Sequence, residues 1–476
     1  MRKLTGRAWV VSMLALSACV QAPLASDTSA GAALNPTSTQ QPGSGEVVTI
    51  KPEPLGGNPR DLAAPVTPAP TPQPVAEAPK PPAWIGRLET AAKTNAYRLD
   101  YDGKTFSGPA WDKLVAEGKA AQFFLLGEEH GIAENPKLAA QLFGELAKDG
   151  YSKLVIEVSP PMATALDTSA RSGIAGLQTH LHTRGWEAAF FGMKEEAELL
   201  AAARAAVKGD APVFWGVDYE VGGDRLLISR LETKKKSAAA EAALAKLRAA
   251  STAAWAKYEA EKGPQFMFSF SGDPQLVRDV RAAWPGHDAE AAEILTALEE
   301  TLEINKLWVE GKGYDSNVRR SGDMRVNFLK HWQAERAAGR KPKVFAKMGA
   351  SHLMRGRNST ETYDIGTLAN EIAFIEGGHA VSVMILPGKG MPAAVFNPVT
   401  FTYAPNVPKD DYNKGLAPII DQADPKAFTL FDLKAMRPVM GNWRAGADPE
   451  LMRIVHGFDY LLVMSGSTAS SNLPAP

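Results

Sequence analysis

Six short apolar runs, each bounded by polar residues, narrow the fold of this chain more than any other feature. They occupy residues 122–126, 153–158, 213–217, 343–348, 380–385 and 460–464. Runs of five or six residues this rich in Val, Ile, Leu and Phe predict strands buried on both faces. Between the first two lies a stretch with helical periodicity. Asn135-Pro136 opens it, Leu138, Leu142 and Leu146 repeat at i, i+4 and i+8, and Gly150 ends it. Strand, helix and strand at this spacing predict a right-handed parallel crossover. The expected fold class is therefore α/β, with a central, largely parallel sheet flanked by helices. Residues from about 231 to 310 break the pattern, because 237–261 and 288–310 are rich in Ala, Glu and Lys, with breaks at Gly263-Pro264 and Asp273-Pro274. They predict an inserted helical hairpin.

Only part of the chain can belong to that fold. Residues 20–83 hold 14 of the 34 prolines and are otherwise small and polar, so they cannot bury enough apolar surface to offset chain entropy. They are expected to form a disordered tether, extending by about 3 Å per residue where they adopt polyproline II. The folded domain is expected over 84–466, with 467–476 as a flexible tail. Ahead of the tether, Arg2, Lys3 and Arg7 precede an apolar run over 8–16, the order of an export signal. Leu16-Ser17-Ala18-Cys19 resembles the lipobox of bacterial lipoproteins. That resemblance implies cleavage after residue 18 and acylation of Cys19, with Val20 in the next position directing the protein to the periplasmic face of the outer membrane. The partner implied at this end is a membrane, engaged through the lipid.

The 52 basic and 53 acidic side chains nearly cancel, which removes the electrostatic footprint of a nucleic-acid binder. Cys19 is the only cysteine, so an intramolecular disulfide framework and a cysteine-built zinc site are both excluded. Several motifs fail. Residues 388–393 mimic a dinucleotide loop but Pro392 and Pro398 leave no helix behind it, and Gly103-Lys104-Thr105 lacks the earlier glycine of a phosphate loop. Neither Gly-x-Ser-x-Gly nor His-Glu-x-x-His occurs. His180 and His182 predict a solvated pair, and His287, His331, His379 and His456 belong to no recognisable motif.

The ends of the predicted strands carry the chemistry. Gly127-Glu128-Glu129-His130-Gly131 follows the first run, Glu157 lies near the end of the second, Asp218 follows the third, and Gly349-Ala350-Ser351-His352 follows the fourth. In a parallel sheet these ends share one edge, where open α/β sheets build their sites. A carboxylate beside an imidazole on a tight turn makes the ring a better base near neutral pH. The plainer alternative is that Glu128 and Glu129 only offset the dipole of the following helix.

These residues resemble the erythromycin esterase-like proteins, whose wider superfamily includes iron-regulated haem-binding lipoproteins and Tiki-type metal-dependent proteases. Gly127-Glu128, His130-Gly131 and Glu134 are similar to the family's Gly-Glu…His-Gly-x-x-Glu turn, and Glu157 to its second-strand glutamate. Arg320-x-x-x-Met324-x-x-Asn327 resembles its arginine helix, 347–353 its second histidine strand, and Phe458-Asp459 its ending. Two positions depart: one residue rather than two separates Glu128 from His130, as in the haem-binding branch, and Ser321 stands where the esterases have Asp.

The resemblance implies a hydrolase of small-molecule or peptide esters or amides. His130, oriented by Glu128 or Glu157, would activate water while Arg320 and His352 stabilise the oxyanion or protonate the leaving group. It leaves the cofactor open: none, haem in a binding protein without catalysis, or a divalent metal held by Glu128, His130, Glu157 and His352.

Overall fold

The computed structural model describes residues 82–476, apart from 183–184, 398–399, 401, 409–412 and 441–447. The expected export leader, Cys19 and nearly all of the expected tether lie outside the described residues.

The strands, in chain order, are β1 (Ala96–Tyr101), β2 (Phe106–Ser107), β3 (Phe123–Glu128), β4 (Tyr151–Ile156), β5 (Phe214–Gly216), β6 (Lys343–Gly349), β7 (Ala380–Pro387), β8 (Ala393–Asn397), β9 (Thr402–Asn406), β10 (Phe428–Asp432) and β11 (Tyr460–Met464). Nine of them form one sheet in the order β2-β1-β10-β11-β7-β3-β6-β4-β5, and β8 pairs with β9. The stretch from β11 to β5 is parallel, and its six members are the six apolar runs. The antiparallel strands β10, β1 and β2 extend one edge; their mixed composition hid them from a search for continuous apolar runs.

Burial on both faces explains why the parallel strands are mostly apolar. Phe124 and Leu126 of β3 join Leu138, Leu142 and Leu146 of the helix Glu134–Ala147 on one side. Phe123 and Leu125 meet Phe328 and Trp332 of the helix Gly313–Ala337 on the other, as alternation along a strand requires. Gly150, at φ 97°, turns the chain from the first of these helices into β4.

The segment between β5 and β6 is helical, as expected for an insertion. Its long helices Ala238–Glu261 and Ala289–Val309 flank the shorter Pro274–Ala283. Ser237, Asp273 and Asp288 cap the three by accepting backbone N–H bonds, and Leu244, Leu247, Val277, Ile294 and Leu298 give them a core of their own. Among the described residues no helix is long and apolar enough to cross a membrane.

Residues 467–476 do not form the free tail expected from their sequence. Ala469 bridges Ile132 and Asn472 bridges Met193. Thr468 donates its backbone N–H and its hydroxyl to the two oxygens of Glu134 at 2.9 and 2.8 Å. Ser471 repeats the arrangement on Glu195 at 3.0 and 2.9 Å. Polar side chains suggest a solvated terminus, but here they satisfy the acidic first turns of two helices, Glu134–Ala147 and Lys194–Ala206.

Candidate functional site

Strand register assembles the site. Glu128 at the end of β3 pairs with Gly349 at the end of β6, and Ile156 of β4 pairs with Lys347, so His130, Glu157 and His352 emerge at one level of the carboxyl edge. The turn carrying His130 needs glycine at Gly131, where φ is +86° and a Cβ would lie 2.1 Å from the carbonyl oxygen of Ala394. Arg320 arrives from the helix Gly313–Ala337. On the same face of that helix, Asn327 donates to the Val217 carbonyl at 3.1 Å and so holds the end of β5 beside it.

All five residues singled out by the sequence, Glu128, His130, Glu157, Arg320 and His352, meet there. Glu157 is the centre. Its Oε2 lies 3.5 Å from His130 Nε2 and accepts the Gly349 N–H at 2.8 Å. Its Oε1 lies 3.4 Å from His352 Nε2 and accepts from Arg320 at 3.1 Å. Each imidazole is held from behind through Nδ1: His130 by Glu128 at 2.9 Å, and His352 by Asp364 at 2.8 Å. The His130 ring also stacks on Phe190, with centroids 3.6 Å apart. Both rings, Glu128 and Glu157 are at least nine-tenths buried, and His352 Nε2 has no hydrogen-bond partner among the described residues.

Glu128 is therefore an orienting group and not a helix cap; the acid in the first turn of the following helix is Glu134. Glu128 accepts a bond from buried Lys347 at 2.6 Å, and Asn135 donates to it at 3.3 Å. Arg320 is itself clamped by Asp218, at 2.9 Å through Nε and 2.6 Å through Nη2, and lies over the Tyr219 ring. Ser321, where the esterase pattern has Asp, donates to Asp364 at 2.9 Å.

The sequence places Asp218 at the sheet edge without a role, shows Asn135 only as a helix start and Lys347 only as part of a strand, and does not single out Asp364 or Glu196. Asp364 has one local signal, as the residue that opens the helix Ile365–Ile375 and bonds the Ile365 N–H. The pairing of Lys347 with Glu128 and Glu196 spans three elements and left no signature in the chain.

Burial and charge then separate the titrating groups. Burial alone would push the Glu157 carboxyl up, but His352, His130 and Arg320 outweigh it and hold the carboxyl well below the usual carboxylate range. Burial disfavours the charged form of His130, yet Glu157 and Glu128 raise its pKa. In His352 the same opposition is decided by Asp364 and Glu157, and that ring is raised well above the ordinary value. Two histidines whose surroundings push them up unequally are suited to unlike proton-transfer roles.

The metal set Glu128, His130, Glu157 and His352 does not fit this geometry. Glu128 lies on the Nδ1 side of His130, whereas Glu157 lies on its Nε2 side, so the four do not surround one point. The Arg320 guanidinium already provides the cation at Glu157. Among the described residues no three His, Cys, Asp or Glu side chains are grouped to hold a metal ion. Haem would need an imidazole nitrogen free to reach its iron, and both Nε2 atoms here look onto one carboxylate.

No family profile matches the chain, and no curated protein matches it either. Solved structures do. An erythromycin esterase mutant, in its open conformation, superposes with a TM-score of 0.54 at 14% identity, covering 79% of this chain and 98% of the other. The fold is shared with an erythromycin esterase. A Bacillus cereus protein matches with a TM-score of 0.53 at 16% identity over 82% of this chain and 99% of its own. A succinoglycan biosynthesis protein matches with a TM-score of 0.52 at 14% identity, over 82% and 100%.

Proposed function

We propose that this protein is a hydrolase of ester or amide bonds in the erythromycin esterase-like superfamily, anchored by lipid at Cys19 to the periplasmic face of the outer membrane. One observation carries the catalytic reading: a buried carboxylate, Glu157, lies between the Nε2 atoms of two histidines, each fixed from behind by its own carboxylate. Burying three carboxylates and two imidazoles together is costly, and groups perturbed in this way cluster at functional sites.

With its Nδ1–H donated to Glu128, neutral His130 presents the Nε2 lone pair and takes a proton from water as that water attacks the carbonyl carbon. Glu157 stabilises the imidazolium that forms. His352, whose higher pKa keeps it charged, and Arg320 stabilise the oxyanion, and His352 Nε2–H then delivers a proton to the leaving group. Hydrolysis accordingly rises with pH as His130 loses its proton and falls again as His352 loses its own.

The test is a panel of ester and amide substrates across pH, with the full-length protein and His130→Ala. Hydrolysis that the variant abolishes while its unfolding midpoint is unchanged supports the reading. Activity unchanged in the variant removes His130 as the base. The anchor is tested separately by mass spectrometry of the mature N-terminus, where an unmodified terminus at another residue refutes acylation of Cys19. A stoichiometric haem complex lost in His130→Ala would favour the binding-protein reading instead.

A further inference from the structure

Beneath His130 runs a buried chain of charged groups whose members beyond Glu128, namely Lys347 and Glu196, the mechanism above leaves unused. Glu128 Oε1, which holds His130 Nδ1, also accepts from Lys347 Nζ at 2.6 Å, and the same ammonium donates to Glu196 Oε1. Glu196 comes from the helix Lys194–Ala206, Lys347 from β6 and Glu128 from β3. Glu196, Glu128 and Lys347 are each no more than 3% exposed. The second oxygen of Glu196 has no hydrogen-bond partner among the described residues. A buried carboxyl left half satisfied is costly, and Lys347 already has a counter-charge in Glu128, so neutralising the lysine does not account for Glu196.

We propose that Glu196 is a positioning residue for His130, and that its charge, passed through Lys347 to Glu128, sets how firmly the His130 ring holds its proton. The proposal deepens the hydrolase reading and rests on it for the meaning of His130, though not for its test. When Glu196 is ionised, Lys347 is shared between two carboxylates and Glu128 retains more of its charge for the imidazolium. When Glu196 is neutral, Lys347 leans on Glu128 alone and the ring is held less tightly. The groups acting on Glu196 are Lys347, Glu128 and His130, and Glu196 in turn acts on the phenol of Tyr403 in β9. Burial, helped by Glu128 and opposed by Lys347, pushes the Glu196 carboxyl up to about 7, so its charge changes in the range where a histidine base works.

The experiment is a pH titration of the full-length protein carrying 13C-labelled histidine, with the two ring signals identified through His130→Asn and His352→Asn. In Glu196→Gln the His130 titration moves to lower pH while His352, on the far side of Glu157, keeps its midpoint. Glu196→Asp, which retains the charge, keeps His130 close to its wild-type midpoint. An unmoved His130 in Glu196→Gln overturns the proposal. So does a joint shift of both histidines, or an equal shift in the Asp variant, since either reports altered packing instead of charge. No substrate enters the titration, so failure here is distinct from failure to hydrolyse the ester and amide panel.

Discussion

His352 Nδ1 lies 2.8 Å from Oδ2 of Asp364, and this carboxylate favours the charged form of the second histidine. Burial opposes the charged ring, and Asp364 is foremost among the groups that overcome it. Asp364→Asn should therefore lower the His352 pKa, so that hydrolysis fails at a lower pH on the alkaline side while the acid limb, set by His130, stays in place. A pH–rate profile of the variant checks this, and an unmoved alkaline limb would remove His352 from the role of acid.

The same pair makes a prediction for stability. A histidine raised by folding contributes stability that is fully present below its unfolded pKa, about 6.5, and is lost as pH rises through the higher folded value. Asp364→Asn should cost about 1.5–3 kcal/mol, the range for a hydrogen bond to a charged group. The deficit should be largest in acid and should narrow as the solution becomes alkaline. Denaturant unfolding at several pH values measures it; a deficit independent of pH would show that His352 does not titrate against Asp364.

Glu157→Gln leaves His130, His352 and Arg320 around an uncharged amide. Breaking a buried charge network by removing one partner costs about 3–5 kcal/mol, and the imidazolium formed in the reaction loses its counter-charge. We expect hydrolysis to fall by at least about 100-fold, the lower range for loss of a general acid–base contribution, and both histidines to titrate at lower pH. The combination of rate assays and ring titrations tests this, and a variant with normal rates would place the chemistry elsewhere.

Gly349→Ala isolates geometry from charge. The backbone there has φ −50°, which any residue adopts, but an added Cβ would sit 3.0 Å from His130 Nε2 and 3.4 Å from Glu157 Oε2. A methyl group at the proton-accepting atom should reduce kcat by about 10–100-fold, the scale of a misplacement near 1 Å. Stability should change by less than about 1–3 kcal/mol, the usual cost of overpacking. Kinetics and thermal unfolding of one preparation decide it, and a full loss of folding would show that the site cannot be separated from the scaffold.

Removal of residues 467–476 should impair the His130 turn, because that segment holds it from behind. Ser470 N–H donates to the Gly131 carbonyl and Ala133 N–H to the Thr468 carbonyl, at 2.8 and 2.9 Å, and Glu134 and Glu195 would lose two bonds each. Truncation after Gly466 is expected to lower the unfolding midpoint and to abolish hydrolysis, with Glu134→Gln and Glu195→Gln together giving a milder form of the same defect. A truncated protein with wild-type turnover would make the segment dispensable.

The parallel part of the sheet was readable in the chain because strands buried on both faces are mostly apolar, and that shows in a single run such as Phe123, Phe124, Leu125 and Leu126. The strand-end residues were readable for a related reason: a parallel sheet gathers the carboxyl ends of its strands on one edge. The partners of those residues were not. Asp364 lies 12 residues beyond His352, Lys347 lies 219 beyond Glu128, and Asp218 lies 102 before Arg320, and nothing local to these residues shows which distant side chain each one meets.

What the amino-acid order determined by itself was therefore what depends on periodicity: the α/β class, the edge on which a site would form, and the strand-end side chains Glu128, His130, Glu157 and His352, whereas Arg320 was named only through the family resemblance. Tertiary structure alone decided which carboxylate faces which ring nitrogen, that Glu157 and not Glu128 lies between the histidines, and that an apparently solvated terminus packs against two helix N-termini. Burial is a property of a segment and leaves a repeating trace along the chain. The meeting of two charges depends on the distance between elements, and only the packed sheet sets that distance.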